Sequence, residues 1–136
     1  MTSFVVDCSV TASWVLPDEV SEAATQLLQR ADVEDFFVPF LWPSEMANVL
    51  LMAERRNRIS SDQRDRAFST LNRLPISVTS FDRTAQWPIT YALAQRFDLT
   101  FYDACYVRLA KELGAPLATF DVKMRKAAGA YGIAVV

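Results

Sequence analysis

The sequence contains no histidine. That absence excludes Ser-His-Asp triads, Cys-His dyads and imidazole-driven RNA cleavage. It also excludes zinc sites built on imidazole. Any hydrolysis must use carboxylates, metal-activated water, or Ser, Thr, Tyr, Lys or Cys. Cysteine is scarce: Cys8 and Cys105 stand far apart and form no CxxC pair. A disulfide framework or zinc ribbon is therefore not expected, whereas two reduced thiols in a cytoplasm are. Glycine is scarce as well, while Leu, Ala and Val are common, which favours helices with a few buried strands over an all-β fold. No GxGxxG or P-loop motif, internal repeat, linker or low-complexity segment occurs. The most apolar stretch, Phe36 to Met52, is broken by Pro39, Pro43, Ser44 and Glu45. It does not supply the ~20 continuous apolar residues of a membrane helix. No signal peptide is expected, because Asp7 interrupts the first apolar run and no basic segment precedes it.

What is present bounds the answer further. The 136 residues, 51% of them hydrophobic, suffice for one domain with a real core, expected to span residues 1–136. The net charge of −2 and pI near 5.1 do not suit a nonspecific nucleic-acid coater, which is usually basic. A protein of this charge that handles RNA needs a local basic patch, or a metal ion that neutralises its acids.

Periodicity predicts alternating elements. Phe4 to Val6 is a β-branched run ending at Asp7. Ser9 is placed to cap a short helix through Ala12 and Trp14, stopping before Pro17. A helix is expected from Asp18 to Ala31, then a strand at Phe36 to Val38 closed by Pro39. Pro43-Ser44-Glu45 opens a helix to about Arg56, since Pro suits a first turn. Ser60 or Ser61 caps the next, about Asp62 to Arg73. Ile76 to Thr79 alternates as a strand, and Asp82 to Phe97 is helical with Pro88 expected to bend it. A helix over about Asp103 to Leu113 ends at Gly114. A strand from Pro116 to Phe120, a helix from Asp121 to Tyr131 and a last strand at Ile133 to Val136 complete the chain. This order implies an α/β fold: a three-layer α/β/α sandwich with a central, mainly parallel sheet of about five strands.

Most of the 16 acidic residues fall on polar faces or helix ends, where solvation explains them. Four do not. Asp7 ends an apolar strand, and Glu45 is followed by Met46, Ala47, Val49, Leu50 and Leu51. Asp103 lies between Leu99-Thr100-Phe101-Tyr102 and Ala104-Cys105-Tyr106-Val107, and Asp121 follows Leu117-Ala118-Thr119-Phe120. Singly, each could be a helix cap or an ion-pair partner, Asp103 and Asp121 above all. Together they are expected at one place. Strand C-termini and the helix starts that follow them share one edge of a parallel sheet, where ligands bind. Like charges within ~4 Å repel by roughly 4 kcal/mol per pair at an effective dielectric near 20. They stay ionised together only around a cation, and oxygen ligands without His or Cys select magnesium or manganese.

These segments resemble a known family. Val5-Val6-Asp7-Cys8-Ser9, Pro43-Ser44-Glu45-Met46-Ala47-Asn48-Val49-Leu50, Tyr102-Asp103-Ala104-Cys105-Tyr106 and Ala118-Thr119-Phe120-Asp121 are similar to the motifs of PIN-domain ribonucleases, in particular the VapC toxins of toxin–antitoxin pairs. The resemblance covers essentially the whole chain. It implies that Asp7, Glu45, Asp103 and Asp121 hold one or two Mg2+ or Mn2+ ions as the catalytic acids, with Asp121 at the most variable of the four positions. Ser9, Asn48 and Thr119 match accompanying polar positions. The resemblance also implies an endoribonuclease acting on single-stranded or looped RNA, a homodimer and an inhibitory cognate antitoxin. Metal-activated hydrolysis without imidazole is expected to leave 5′-phosphate and 3′-hydroxyl ends. Arg55, Arg56 and Arg58, Arg108 and Lys111, and Lys123, Arg125 and Lys126 are the cations available for RNA phosphates, although each could equally be a solvated face.

Two other readings remain. A haloacid-dehalogenase-like phosphohydrolase would also place an Asp after its first strand, but needs a second acid where Ser9 stands. A catalytically silent PIN-like or receiver-like binding module would lack turnover. A receiver would need an acid pair where Asp7 is followed by Cys8.

Overall fold

Short runs of β-branched and aromatic residues build the centre of the molecule. In the computed structural model, which describes residues 3–136, β1 (Ser3–Val6), β2 (Asp35–Val38), β3 (Ile76–Val78) and β4 (Leu117–Ala118) form a parallel sheet in the order β3-β2-β1-β4. Val5, Val6, Phe36, Val38, Leu117 and Ala118 are fully buried, as a parallel sheet covered on both faces requires. The covering helices are α1 (Cys8–Val15), α2 (Glu22–Leu28), α3 (Trp42–Arg55), α4 (Ser61–Arg73), α5 (Arg83–Phe97), α6 (Phe101–Leu113) and α7 (Val122–Ala130). A 3-10 turn (Gln29–Asp32) extends α2. The result is the expected three-layer α/β/α sandwich with four strands rather than five.

The missing strand has a local cause. Ile133 to Val136 contributes a single bridge, Leu117 to Val135, because β4 offers only two residues for pairing. Thr119 and Phe120, expected to lengthen β4, turn toward α1 instead: the Phe120 amide donates to Ser9 Oγ at 3.0 Å.

Caps decide where the helices begin. Asp7, not Ser9, caps α1, its Oδ1 accepting from the Val10 amide at 3.2 Å. Helix α2 starts at Glu22 under a Ser21 cap, because Arg58 draws Asp18 and Glu19 into ion pairs of 2.8 and 3.0 Å. Ser60 and Gln63 form a reciprocal capping box on α4. Asp82 caps α5, which runs on through Pro88. Thr100 caps α6, so this helix starts two residues earlier than expected and Asp103 lies inside its first turn. Asp121 caps α7 through the Met124 amide at 2.8 Å. Gly114 ends α6 with φ of +61°, a conformation that costs glycine little.

The sheet order creates a switch point. The chain steps from β1 to β2 to β3 in one direction, then crosses to place β4 on the other side of β1. Beyond the C-terminal ends of β1 and β4 the flanking connections diverge and leave a crevice, the usual place for ligands in open parallel sheets.

Candidate active site

Asp7 stands at the mouth of that crevice. Its backbone amide still donates to the Ala118 carbonyl at 3.1 Å, so the carboxylate is fixed at the sheet edge. The residue is only 4% exposed. Oδ1 accepts from Ser9 Oγ at 2.6 Å and from the Val10 amide, while Thr119 Oγ1 donates to Oδ2. Both hydroxyls do double duty. Ser9 Oγ also accepts from the Phe120 amide, and Thr119 Oγ1 accepts from the Asp121 amide at 3.0 Å. The turn after β1 is thereby tied to the turn after β4, which sets Asp121 relative to Asp7.

Glu45 arrives from the first turn of α3. Trp42 Nε1 donates to Thr11 Oγ1 at 3.0 Å, and that hydroxyl also contacts Met46 Sδ at 3.2 Å. These buried contacts pin the start of α3 to α1 and bring Glu45 beside Asp7. Glu45 Oε1 accepts from the Tyr106 hydroxyl at 2.7 Å and from the Cys8 thiol at 3.7 Å. Asp103, on α6, is half-buried, and Asp121 is exposed at the head of α7.

Neighbouring acids act on Glu45 and Asp103. Burial pushes the Asp7 carboxyl above its ordinary range, against the opposing pull of the Ser9, Thr119 and backbone bonds. Burial raises Glu45, and the charges of Asp103 and Asp7 raise it further. Burial also raises Asp103, reinforced by Asp121 and Asp7. Among the described residues none of the four forms an ion pair, although seven such pairs form elsewhere. Nor do any three His, Cys, Asp or Glu side chains among them stand close enough together to hold a metal ion as they are placed. The acids share an electrostatic field without converging on one point. An all-oxygen donor set that lacks a balancing cation suits a hard divalent ion, which would draw the carboxylates in.

Matches to known proteins show the family. The PIN domain model matches residues 4–130. The chain belongs to the PIN-domain family. Ribonuclease VapC3 of Pyrobaculum aerophilum is 30% identical over 117 residues, covering 86% of this chain and 88% of the relative. Ribonuclease VapC1 of Mycobacterium tuberculosis is 30% identical over 125 residues, covering 90% and 92%. The crystal structure of VapBC2 from Rickettsia felis, bound to a DNA fragment from its promoter, superposes with a TM-score of 0.71 at 10% identity, covering 99% of this chain and 98% of the other. That last likeness concerns the fold.

In this PIN domain the accompanying polar residues divide. Ser9 and Thr119 touch Asp7, whereas Asn48, one turn beyond Glu45, is exposed and bonds to none of the acids among the described residues. The cations divide too. Arg108, expected as an RNA contact, is 2% exposed, paired with Glu112 at 2.7 Å and set over the Phe81 ring. It is a core residue, because its position on α6 is turned away from solvent toward Phe81. Arg125 donates to the carbonyls of Thr119 and Val136, and Arg58 is tied to Asp18 and Glu19. Lys111 donates to the Tyr131 carbonyl. Lys126, Arg55 and Arg56 are exposed. Lys123 pairs with Asp98 at 2.8 Å, yet its charge reaches Asp103 and offsets a small part of the rise that burial gives that carboxyl.

Two residues at the site escaped the sequence reading, Tyr106 and Cys8. Tyr106 lies three residues after Asp103, one helical turn along the same face, and places a polar tip inside an apolar run. That spacing is the signal that could have found it.

Among the described residues no helix is long and apolar enough to cross a membrane.

Proposed function

We propose that this chain is the toxin of a toxin–antitoxin pair, a Mg2+- or Mn2+-dependent endoribonuclease acting as a single domain over residues 1–136 in the cytoplasm. The observation that supports the reading is that Asp7, Glu45 and Asp103 are raised by burial, that neighbouring acids, Asp121 among them, raise Glu45 and Asp103 further, and that none of the four pairs with a cation among the described residues. Such buried like charges are costly unless a divalent ion offsets them. The four carboxylates would hold the ion. When bound, it supplies positive charge for phosphate oxygens and acidifies water.

The chain's own residues do the rest. Ser9, Thr119 and the Val10 amide hold Asp7 immobile, so that its oxygens need no reorganisation during reaction. Glu45 or Asp103, whose carboxyls sit above the ordinary range, takes the proton of the attacking water. Lys123 and Lys126 at the start of α7 face the RNA backbone. In-line attack by water leaves a 5′-phosphate and a 3′-hydroxyl.

The likeness of fold to a toxin–antitoxin complex from Klebsiella pneumoniae supports an antitoxin partner. The cleft beside Asp7, lined by Cys8, Ser9, Ala12, Val49 and Phe120, is its proposed seat. The exposed Trp87 and Tyr91 of α5, one helical turn apart beside Pro88, supply an apolar face for a homodimer. A phosphohydrolase of the haloacid dehalogenase type is disfavoured, because Ser9 occupies the place of its second acid.

The test is cleavage of a mixed RNA pool with Mn2+ by the wild type, Asp7→Asn and Asp103→Asn. Both variants should lose cleavage and retain their far-ultraviolet circular dichroism. Retained cleavage, or a product ending mainly in a 2′,3′-cyclic phosphate, would overturn the reading.

A further inference from the structure

Tyr106 is 1% exposed and lies among the apolar residues of α6. Phenylalanine would fill that space without a hydroxyl to satisfy. The hydroxyl is instead aimed across the fold at Glu45 Oε1, at 2.7 Å and over 61 positions of sequence. A short bond from a neutral donor to a carboxylate is among the stronger hydrogen bonds. Cys8 Sγ approaches both partners, at 3.5 Å from the hydroxyl and 3.7 Å from Oε1. A thiol is a weak donor, so the phenol carries the contact.

The consequence concerns the other oxygen. Oε1 is taken by two donors, while Glu45 Oε2 accepts no hydrogen bond from the described residues. Glu45 is half-exposed on a flexible side chain, and Asp7 and Asp103 repel it. Left alone it would swing toward water. We infer that Tyr106 is a positioning residue whose hydroxyl tethers Glu45 Oε1 and so leaves Oε2 free for the divalent ion that the carboxylates would hold. The inference rests on the nuclease reading above and adds the group that aims one of its ligands. Helix α6 then supplies one acid, Asp103, and one turn later the tether for another.

Tyr106→Phe removes the hydroxyl and keeps the ring. In the metal-free full-length protein, the side-chain carboxyl carbon-13 signal of Glu45, assigned by its loss in Glu45→Gln, should move to the position of a solvated glutamate. Calorimetric titration should show Mn2+ affinity reduced about tenfold or more, the usual effect of losing an outer partner of a metal ligand. RNA turnover at saturating Mn2+ should fall while KM for RNA holds. The metal-free melting temperature should stay within a few degrees of the parent. An unmoved Glu45 signal with unchanged Mn2+ affinity in Tyr106→Phe overturns the inference. The carbon-13 readout needs neither metal nor RNA. A wild-type protein that takes up no Mn2+ and cleaves no RNA would sink the nuclease reading separately.

Discussion

Asp7 carries three donors and a burial cost at once, and that conflict is measurable. A carboxyl raised in the fold keeps a proton that the unfolded chain has already released. Its contribution to stability is therefore greatest at low pH and declines as pH rises through the ordinary carboxylate range toward the folded value. Asp7, Glu45 and Asp103 are all raised, so all three push the metal-free protein in that direction. Asp18 and Asp98 are held low by Arg58 and Lys123 and push the other way, but both are exposed pairs of small effect. Metal-free melting followed from about pH 4 to neutrality should show a decline that is shallower in Asp7→Asn. Thr119 belongs to the same scale. Thr119→Val removes a donor to Asp7 and the acceptor for the Asp121 amide in a fully buried place. Leaving such groups unpaired costs about 1–3 kcal/mol, which urea unfolding would register, together with slower RNA cleavage.

Elements respond through their ends and faces. Gly114 terminates α6 at φ of +61°, and an added Cβ would meet no atom within 4 Å. Gly114→Ala should therefore lose only the backbone preference, about 1 kcal/mol in denaturant unfolding, with RNA cleavage unchanged. The two faces of α6 and α7 separate structural cations from available ones. Arg108 is buried on α6 beneath Phe81, with Nε unbonded and Glu112 as its partner. Arg108→Met should leave RNA affinity unaltered and leave stability equal or higher, since an apolar residue of similar volume often replaces a buried ion without loss. Lys123→Ala should weaken RNA binding and reduce the salt slope of log affinity by about 1, as expected for one phosphate contact. Binding measured across a salt series separates the two outcomes.

At the scale of the whole molecule, the placing of the four acids, after β1, on α3 and α6 and at the head of α7, depends on the order of an open parallel sheet. A divalent ion bound among them should stabilise the fold itself. Mn2+ at a hundredfold excess over its dissociation constant should add about 2.7 kcal/mol. The gain should be larger near neutrality than near about pH 4, where protons compete for the same oxygens. Thermal unfolding with and without Mn2+ at the two pH values checks this, and Asp7→Asn together with Asp103→Asn should remove the difference.

The sequence by itself determined the alternation of buried strands and amphipathic helices, because periodicity and capping are local. It also determined which acids stood in apolar surroundings, since an isolated carboxylate beside Phe4-Val5-Val6 or Leu117-Ala118 has no local reason to be there. Tertiary structure alone decided the rest. The last strand shrank to one bridge once Ser9 claimed the Phe120 amide. Asp103 gave up the cap of α6 to Thr100 and kept its carboxylate for the crevice. Arg108 went inside, and Tyr106 met Glu45 from 61 positions away. Each of these outcomes is a competition between partners distant in sequence. Long-range packing settles such competitions, and neither spacing nor propensity encodes them locally.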